Sequence, residues 1–378
     1  MKILKTIIFI IFFTLLTGCE THREISDLGM VSAIGIEKED DKYLISVQVA
    51  NIKKSTKMGT DNSSKVTLYK GIGNTCFEAI REISNKSSKK LYFPHNKLII
   101  ISDEIINNEK EKIIDFYSRD NEGNMNAYVL VTTNNTPSEI LSTITSFEDV
   151  PAMYIYNSLL LSESSYGNTF LLTFEDYVNY IIKKDIDPVF TKISLTNDNS
   201  IKNNTSILNG IELPTYITLG NLLVFNNKKL TELSKDESII YNLLKGTKSN
   251  SILTLKCNNE NYYTLELLDN SSKIDYDSKE KMISIDLNLT YSISDYNCSE
   301  SLLDNKNINN IKKDIKTKIA NNINSLINKS IEYKSNFIGF KKIENTKELS
   351  KTLFKTDIKV NIENRGDLTD RIKEGKYE

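Results

Sequence analysis

The sequence predicts an α+β protein of three domains, each a mixed or mainly antiparallel sheet flanked by helices. Three observations carry this. Tyr43, Ile45, Val47 and Val49 alternate with Ser46 and Gln48 just after a charged turn at residues 37–42, the period of two of a strand with one buried face, paired hairpin-fashion with the strand before it. Strand-like and helix-like stretches then take turns, as in a sheet covered by helices. Near the end, Ile283, Ile285, Leu287, Leu289, Tyr291 and Ile293 alternate with polar residues, and Ile308, Ile311, Ile315, Ile319, Ile323, Leu326 and Ile327 recur every three or four residues. These are a long half-buried strand and a long amphipathic helix with complementary apolar faces.

In order, strands are expected at residues 30–36, 43–49 and 66–69. Gly73-Asn74-Thr75 introduces a helix to about residue 85, with Cys76, Ala79, Ile80 and Ile83 on one face. The run Leu98-Ile99-Ile100-Ile101 reads as a buried strand, residues 104–119 as one helix, and residues 127–131 as the next strand. Thr136-Pro137-Ser138-Glu139 is a helix start, with a Thr cap, Pro in the first turn and Glu three residues after the cap. Residues 146–168 show no regular period. Thr173 opens a helix to residue 184, which Asp187-Pro188 terminates. A strand at 189–195 leads to an Asn-rich polar run at 196–205, where a domain boundary is expected. Strands follow at 217–225 and 251–255, with a helix between them that starts at Ser234 and ends at Gly246. A short helix at 346–354 and a strand at 358–362 close the chain. The expected division is 1–18, 19–196, 197–258 and 259–378.

The first segment is a leader. Lys2 and Lys5 precede the apolar run Ile7-Ile8-Phe9-Ile10-Ile11-Phe12-Phe13, and Leu16-Thr17-Gly18-Cys19 follows. A basic end, an apolar run and small residues before the cut mark a secretory signal, and the run is shorter than the roughly 20 residues a membrane span needs. With Cys in the first mature position, Leu16, Thr17 and Gly18 form a lipobox and Cys19 is the residue to be diacylated. Two acyl chains anchor stably where one does not. Lys2 and Lys5 leave with the leader, taking the net charge from −2 to −4. No basic excess favours nucleic acid, and no polybasic run favours anionic lipid.

Three cysteines remain beyond Cys19, an odd number that argues against a disulfide framework. Cys76 reads as a buried thiol; a Cys257–Cys298 bridge stays open as an alternative. Cysteines so far apart, with only His22 and His95 in the chain, match no metal-site spacing, and no metal or other cofactor is expected. There is no Gly-rich phosphate loop and no Gly-x-Ser-x-Gly elbow. The candidate contact residues are few. Tyr92 and His95, with Phe93 and Pro94 between them, form either a recognition surface or strand packing with one exposed aromatic. Arg119, beside Asp120, offers either a partner contact or a helix-end ion pair. Arg23 and Asp27, close to the anchor, offer either membrane-proximal contacts or solvated linker charge.

Gly18-Cys19, Arg23-Glu24-Ile25-Ser26-Asp27-Leu28, Val31-Ser32-Ala33-Ile34-Gly35-Ile36, Glu78-Ala79-Ile80-Arg81, Leu91-Tyr92 through His95 and Lys97, Arg119-Asp120, Asp187-Pro188-Val189, Gly220 with Leu223-Val224-Phe225, Lys229-Leu230 and Ile338-Gly339-Phe340 occur in this order. In this the sequence resembles the Ger(x)C family, the lipoprotein C subunits of nutrient germinant receptors in endospore-forming bacteria. The resemblance spans essentially the whole mature chain. Two departures stand out: Glu20-Thr21 replaces the Trp-Asp that often follows the lipobox Cys, and Pro94 stands where Gly is frequent. The resemblance implies a non-enzymatic protein, lipid-anchored on the outer face of the spore inner membrane beside two membrane-embedded receptor subunits, with no catalytic residues to carry over. The rival class is the solute-binding lipoprotein of an importer, which would show repeated βαβ units in two lobes rather than hairpins.

Overall fold

The computed structural model describes residues 25–51, 64–119, 123–184, 186–196, 215–247, 249–257, 260–340 and 349–364. A 3-10 turn, Ile25–Asp27, leads into β1 (Leu28–Glu39). It is followed by β2 (Lys42–Ala50), β3 (Val66–Gly73), α1 (Cys76–Ile83), β4 (Lys90–Tyr92), β5 (Leu98–Ser102), α2 (Asp103–Asn108), α3 (Lys110–Arg119) and β6 (Tyr128–Thr132). Then come α4 (Pro137–Ser142), α5 (Pro151–Ser165), α6 (Phe174–Lys183), β7 (Phe190–Thr196), β8 (Tyr216–Asn226) and β9 (Lys229–Glu232). The last part holds α7 (Lys235–Leu244), β10 (Ile252–Lys256), β11 (Tyr262–Asp277), β12 (Met282–Tyr296), α8 (Asn305–Glu332) and β13 (Leu353–Asn364). The α+β expectation holds.

The first sheet has nine strands in the order β3-β2-β1-β5-β6-β7-β8-β9, with β4 beside the start of β1. Its centre, β1-β5-β6-β7, is parallel, and both flanks are antiparallel hairpins. The central strands alternate between two cores. Ile99, Ile101, Val129 and Val131 face α1, α2, α3 and α6, whereas Leu98, Ile100 and Leu130 face α4 and α5. That is why these strands are apolar on both faces. Gly71 and Gly73 let α1 fold straight back onto β3: a Cβ at Gly71 would meet the Ala79 carbonyl oxygen at 2.0 Å, and one at Gly73 the Ala79 nitrogen at 2.6 Å. Thr75 caps α1 by accepting from the Glu78 N–H, and Thr136 and Ser234 each close a full capping box.

The second sheet, β10-β11-β12-β13, is antiparallel except for β12 and β13. The Ile stripe of α8 and the apolar face of β12 share one core, as their patterns predict, and α7, β8 and Val189 contribute to that core too. α7 thus joins the two sheets. The expected cut at 196/197 does not fall between sheets, because β7 and β8 are antiparallel partners across it; nor does the cut at 258/259, because β10 and β11 pair across it.

Four local expectations change. The single helix over 104–119 breaks at Glu109, whose backbone leaves the helical region (φ −138°, ψ 23°). Its carboxylate instead serves the β1–β2 hairpin, accepting from the Tyr43 hydroxyl and pairing with Lys38 at 3.2 Å. The irregular stretch contains α5, with Pro151 in its first turn. Its apolar residues lie on nearly every face, Leu161 being 65% exposed, so no period shows. Leu353 and Phe354, expected in a helix, begin β13; residues 341–348 lie outside the described residues. Finally, Cys257 and Cys298 form a disulfide, with Cα atoms 6.1 Å apart. Strand register brings them together: Lys256 pairs with Tyr262, and Tyr263 with Tyr296. The odd cysteine that weighed against a bridge is Cys76, which stays a buried free thiol.

Candidate functional site

The chain enters the sheet beside β4. Leu28 pairs with Lys90 and Met30 with Tyr92, so the exposed Asp27 and the half-buried Tyr92 lie at one end of the sheet. After β4 the chain turns over exposed Pro94 and His95, with the His95 ring 5.7 Å from that of Tyr92. Buried Phe93 and Asn96 hold this turn: the Asn96 amide donates to the Tyr117 hydroxyl at 3.3 Å, and Asn124 donates to the Asn96 carbonyl at 2.7 Å. Of the two readings, the geometry here is that of strand packing, with Phe93 buried beneath the exposed His95 ring. Arg119 is elsewhere, on the last turn of α3, where its Nε donates to Asp115 at 2.8 Å as a solvent-exposed helix-end ion pair. Asp120, Arg23 and the lipobox residues Leu16, Thr17, Gly18 and Cys19 lie outside the described residues.

Arg119 closes one end of a groove of about 800 Å³ between α1 and α3, with Tyr43 and Cys76 in its floor and Phe77 and Phe116 on its walls. The sequence reading followed only the buried face of α1. It missed Phe77, which is 51% exposed; a large aromatic off the apolar face was the available signal. Burial, reinforced by the nearby Glu109 carboxylate, pushes the Cys76 thiol up to about 12. It is a protonated packing group and not a nucleophile. Burial also pushes Glu109 up, but the Tyr43 hydroxyl and the Lys38 ammonium outweigh it and hold Glu109 below the usual carboxylate range. Among the described residues no three His, Cys, Asp or Glu side chains converge as metal ligands, and no helix is long and apolar enough to cross a membrane.

A second constellation joins the two sheets. The Asp187 carboxylate accepts from the Ser335 hydroxyl at 2.9 Å and from the Asn336 N–H at 2.8 Å. The Asn336 side chain in turn accepts from the Phe340 N–H at 3.0 Å. Gly339 sits at φ +77°, where a Cβ would meet the Lys245 ammonium at 2.8 Å; that ammonium donates to the Ile338 carbonyl at 2.9 Å. At the β8–β9 turn the Asn227 N–H donates to the Tyr333 carbonyl at 2.8 Å. Asp187-Pro188-Val189 and Ile338-Gly339-Phe340, far apart in sequence, are thus the two halves of one joint.

Fold and surface together define a class: a two-sheet α+β protein with a polar joint between the sheets and an apolar groove beside the first. The chain belongs to the spore germination GerAC family. The family described as "Spore germination protein N-terminal domain" matches residues 21–195, and the one described as "Spore germination B3/ GerAC like, C-terminal" matches residues 221–367. Spore germination protein KC of Bacillus subtilis is 26% identical over 203 residues, covering 52% of this chain and 50% of that protein. The chain thus spans about half the length of that relative. Spore germination protein GerQC of Bacillus cereus is 23% identical over 347 residues, 90% of each chain. The fold is similar to that in the crystal structure of the GerBC protein, with a TM-score of 0.51, 14% identity, and coverage of 88% of this chain and 97% of that one.

Proposed function

We propose that this protein is the lipid-anchored C subunit of a nutrient germinant receptor. It sits on the outer face of the spore inner membrane, tethered by diacylglycerol on Cys19, and acts without catalysis beside two membrane-embedded subunits. The observation that carries the reading is membership of the spore germination family over both halves of the chain, with a lipobox directly ahead. The Cys76 thiol, held protonated by burial, and Arg119, paired with Asp115, support reading the α1–α3 groove as a binding surface. The subunit's task is to stabilise or couple its membrane partners; it binds no germinant by itself.

Expression in a sporulating host tests this directly. Mass spectrometry should find diacylglycerol on Cys19 and a mature chain starting there, and Cys19→Ala should accumulate uncleaved precursor. The full-length lipoprotein should co-purify with two membrane subunits. Calorimetry with candidate nutrients should show no shift, although a ligand at ~100 times its Kd would add roughly 2.7 kcal/mol of stability. Normal processing without lipid removes the anchor, and a saturable shift of several degrees removes the partner-only role.

A further inference from the structure

The second sheet ends in an open edge. β13 pairs with β12 on one side, and among the described residues nothing pairs with its other side. Its two faces separate cleanly: Ile358 and Val360 are buried, Phe354, Thr356 and Ile362 are half-buried, and Lys355, Asp357, Lys359 and Asn361 are exposed. α8 covers the apolar face, and the polar face is open. An edge strand of 12 residues with a row of unpaired N–H and C=O groups is a template for another strand. The β3 edge of the first sheet is built differently. There the Ile72 N–H donates to the Glu82 carboxylate at 2.6 Å, and the Lys70 carbonyl accepts from the Lys86 ammonium at 2.7 Å. Among the described residues no side chain caps the β13 backbone in this way.

The order of charges along the edge is the second, independent observation. Laid antiparallel beside a copy of itself with Ile358 opposite Ile358, the strand sets Asp357 opposite Lys359 and Lys355 opposite Asn361 on the exposed face. On the covered face it sets Thr356 opposite Val360 and Phe354 opposite Ile362. The two-fold axis makes the Asp–Lys pair occur twice. Opposite charges directly across a sheet stabilise it, and like charges destabilise it. Moving the axis by one residue loses this match. Centred on Asp357 it sets Asp357 against Asp357 and Lys355 against Lys359; centred on Lys359 it sets Lys359 against Lys359. None of the ion pairs among the described residues uses Lys355, Asp357 or Lys359, so these charges are available.

We propose that β13 pairs antiparallel with β13 of a second copy of this chain, about a two-fold axis at Ile358. Two four-stranded sheets then become one continuous sheet. The axis is normal to that sheet, so both α8 helices lie on the same face and the helical layer continues across the junction. The partner is a second copy, and not a strand of another protein, because the complementarity is that of the strand with itself. Pairing also covers the apolar area that the half-buried Phe354 and Ile362 leave at the edge. The inference goes beyond the receptor reading above and does not rest on the lipid anchor.

The test uses a chain starting at Glu20, which lacks the lipid site but keeps every described residue. Sedimentation velocity over a concentration series should show a monomer–dimer equilibrium. Lys359→Asp replaces two opposite-charge pairs with two like-charge pairs and should weaken the dimer at least about tenfold. The swap Asp357→Lys, Lys359→Asp should restore it. Lys228→Asp, an equal change of charge at the exposed β8–β9 turn, should leave it unchanged. Under oxidation a mixture of Asp357→Cys and Lys359→Cys chains should cross-link faster than either alone, because positions 357 and 359 face each other across the axis. All these positions are exposed, and a thermal melt checks that each variant keeps its fold. A monomer at every concentration overturns the proposal. So does a dimer that Lys359→Asp leaves intact, or one in which the mixed cysteine chains cross-link no faster than either alone. A monomer that dimerises only once residues 365–378 are removed assigns the edge to that segment and overturns it too. Each of these failures leaves the anchor standing, and an unlipidated Cys19 would leave the dimer standing.

Discussion

Glu237 shows how one side chain ties elements together. It closes the capping box of α7 by accepting from the Ser234 N–H, and it receives the Lys329 ammonium and the Ser325 hydroxyl of α8, both at 2.7 Å. Burial pushes its carboxyl up, but Lys329, Ser325 and Ser234 outweigh this and hold it down to about 2. A carboxyl depressed in the folded state adds stability above its unfolded range, and that contribution is lost as pH falls from about 4.5 toward 2. Glu237→Gln should therefore cost about 2 kcal/mol at pH 7, by leaving Lys329 without its countercharge, and nearly nothing at pH 2. Urea midpoints across this range check it; an unchanged pH slope in the variant would show that Glu237 is not the titrating group. The cap was legible in Ser234-Lys235-Asp236-Glu237, because capping boxes are local. The Lys329 contact, 92 residues away, was not.

At the level of elements, the clearest patterns are those with one solvent-facing side. The α8 stripe is buried at every position from Ile308 to Ile327 that the period marks. Ile319→Asp, at a fully buried site, should cost about 4 kcal/mol and lower Tm by about 10 °C. Lys316→Ala, on the exposed face of the same helix, should stay within about 0.5 kcal/mol of wild type. Thermal melts of the two compare one element's faces directly, and equal melting points would show that the stripe is not core. Where the period fails, as in α5, the cause is apolar residues on nearly every side of the helix. Where it overreaches, as across Glu109, a tertiary contact with Tyr43 and Lys38 breaks a helix that local propensity would continue.

At the level of the whole molecule, the shared core around α7 argues that the two sheets unfold together. Scanning calorimetry should show one transition for the wild type, and two resolved transitions would contradict the shared core. Asp187→Ala removes the acceptor for the Ser335 hydroxyl and the Asn336 N–H; leaving such buried donors unmet should cost about 1–3 kcal/mol and broaden or split that transition. Asn336, the donor on the α8 side, is 4% exposed, so solvent cannot replace the lost carboxylate without opening the joint.

The sequence by itself determined the α+β class, most strands and caps, the α8–β12 packing, the lipobox expectation and the family resemblance. These are local or periodic signals, written in residues close together along the chain. Only the tertiary structure decided that Cys257 meets Cys298, that Asp187 meets Asn336, and that β7 and β8 pair in one sheet across the expected boundary. Each of those depends on strand register and sheet order, which bring distant residues together through contacts that no single stretch of sequence encodes.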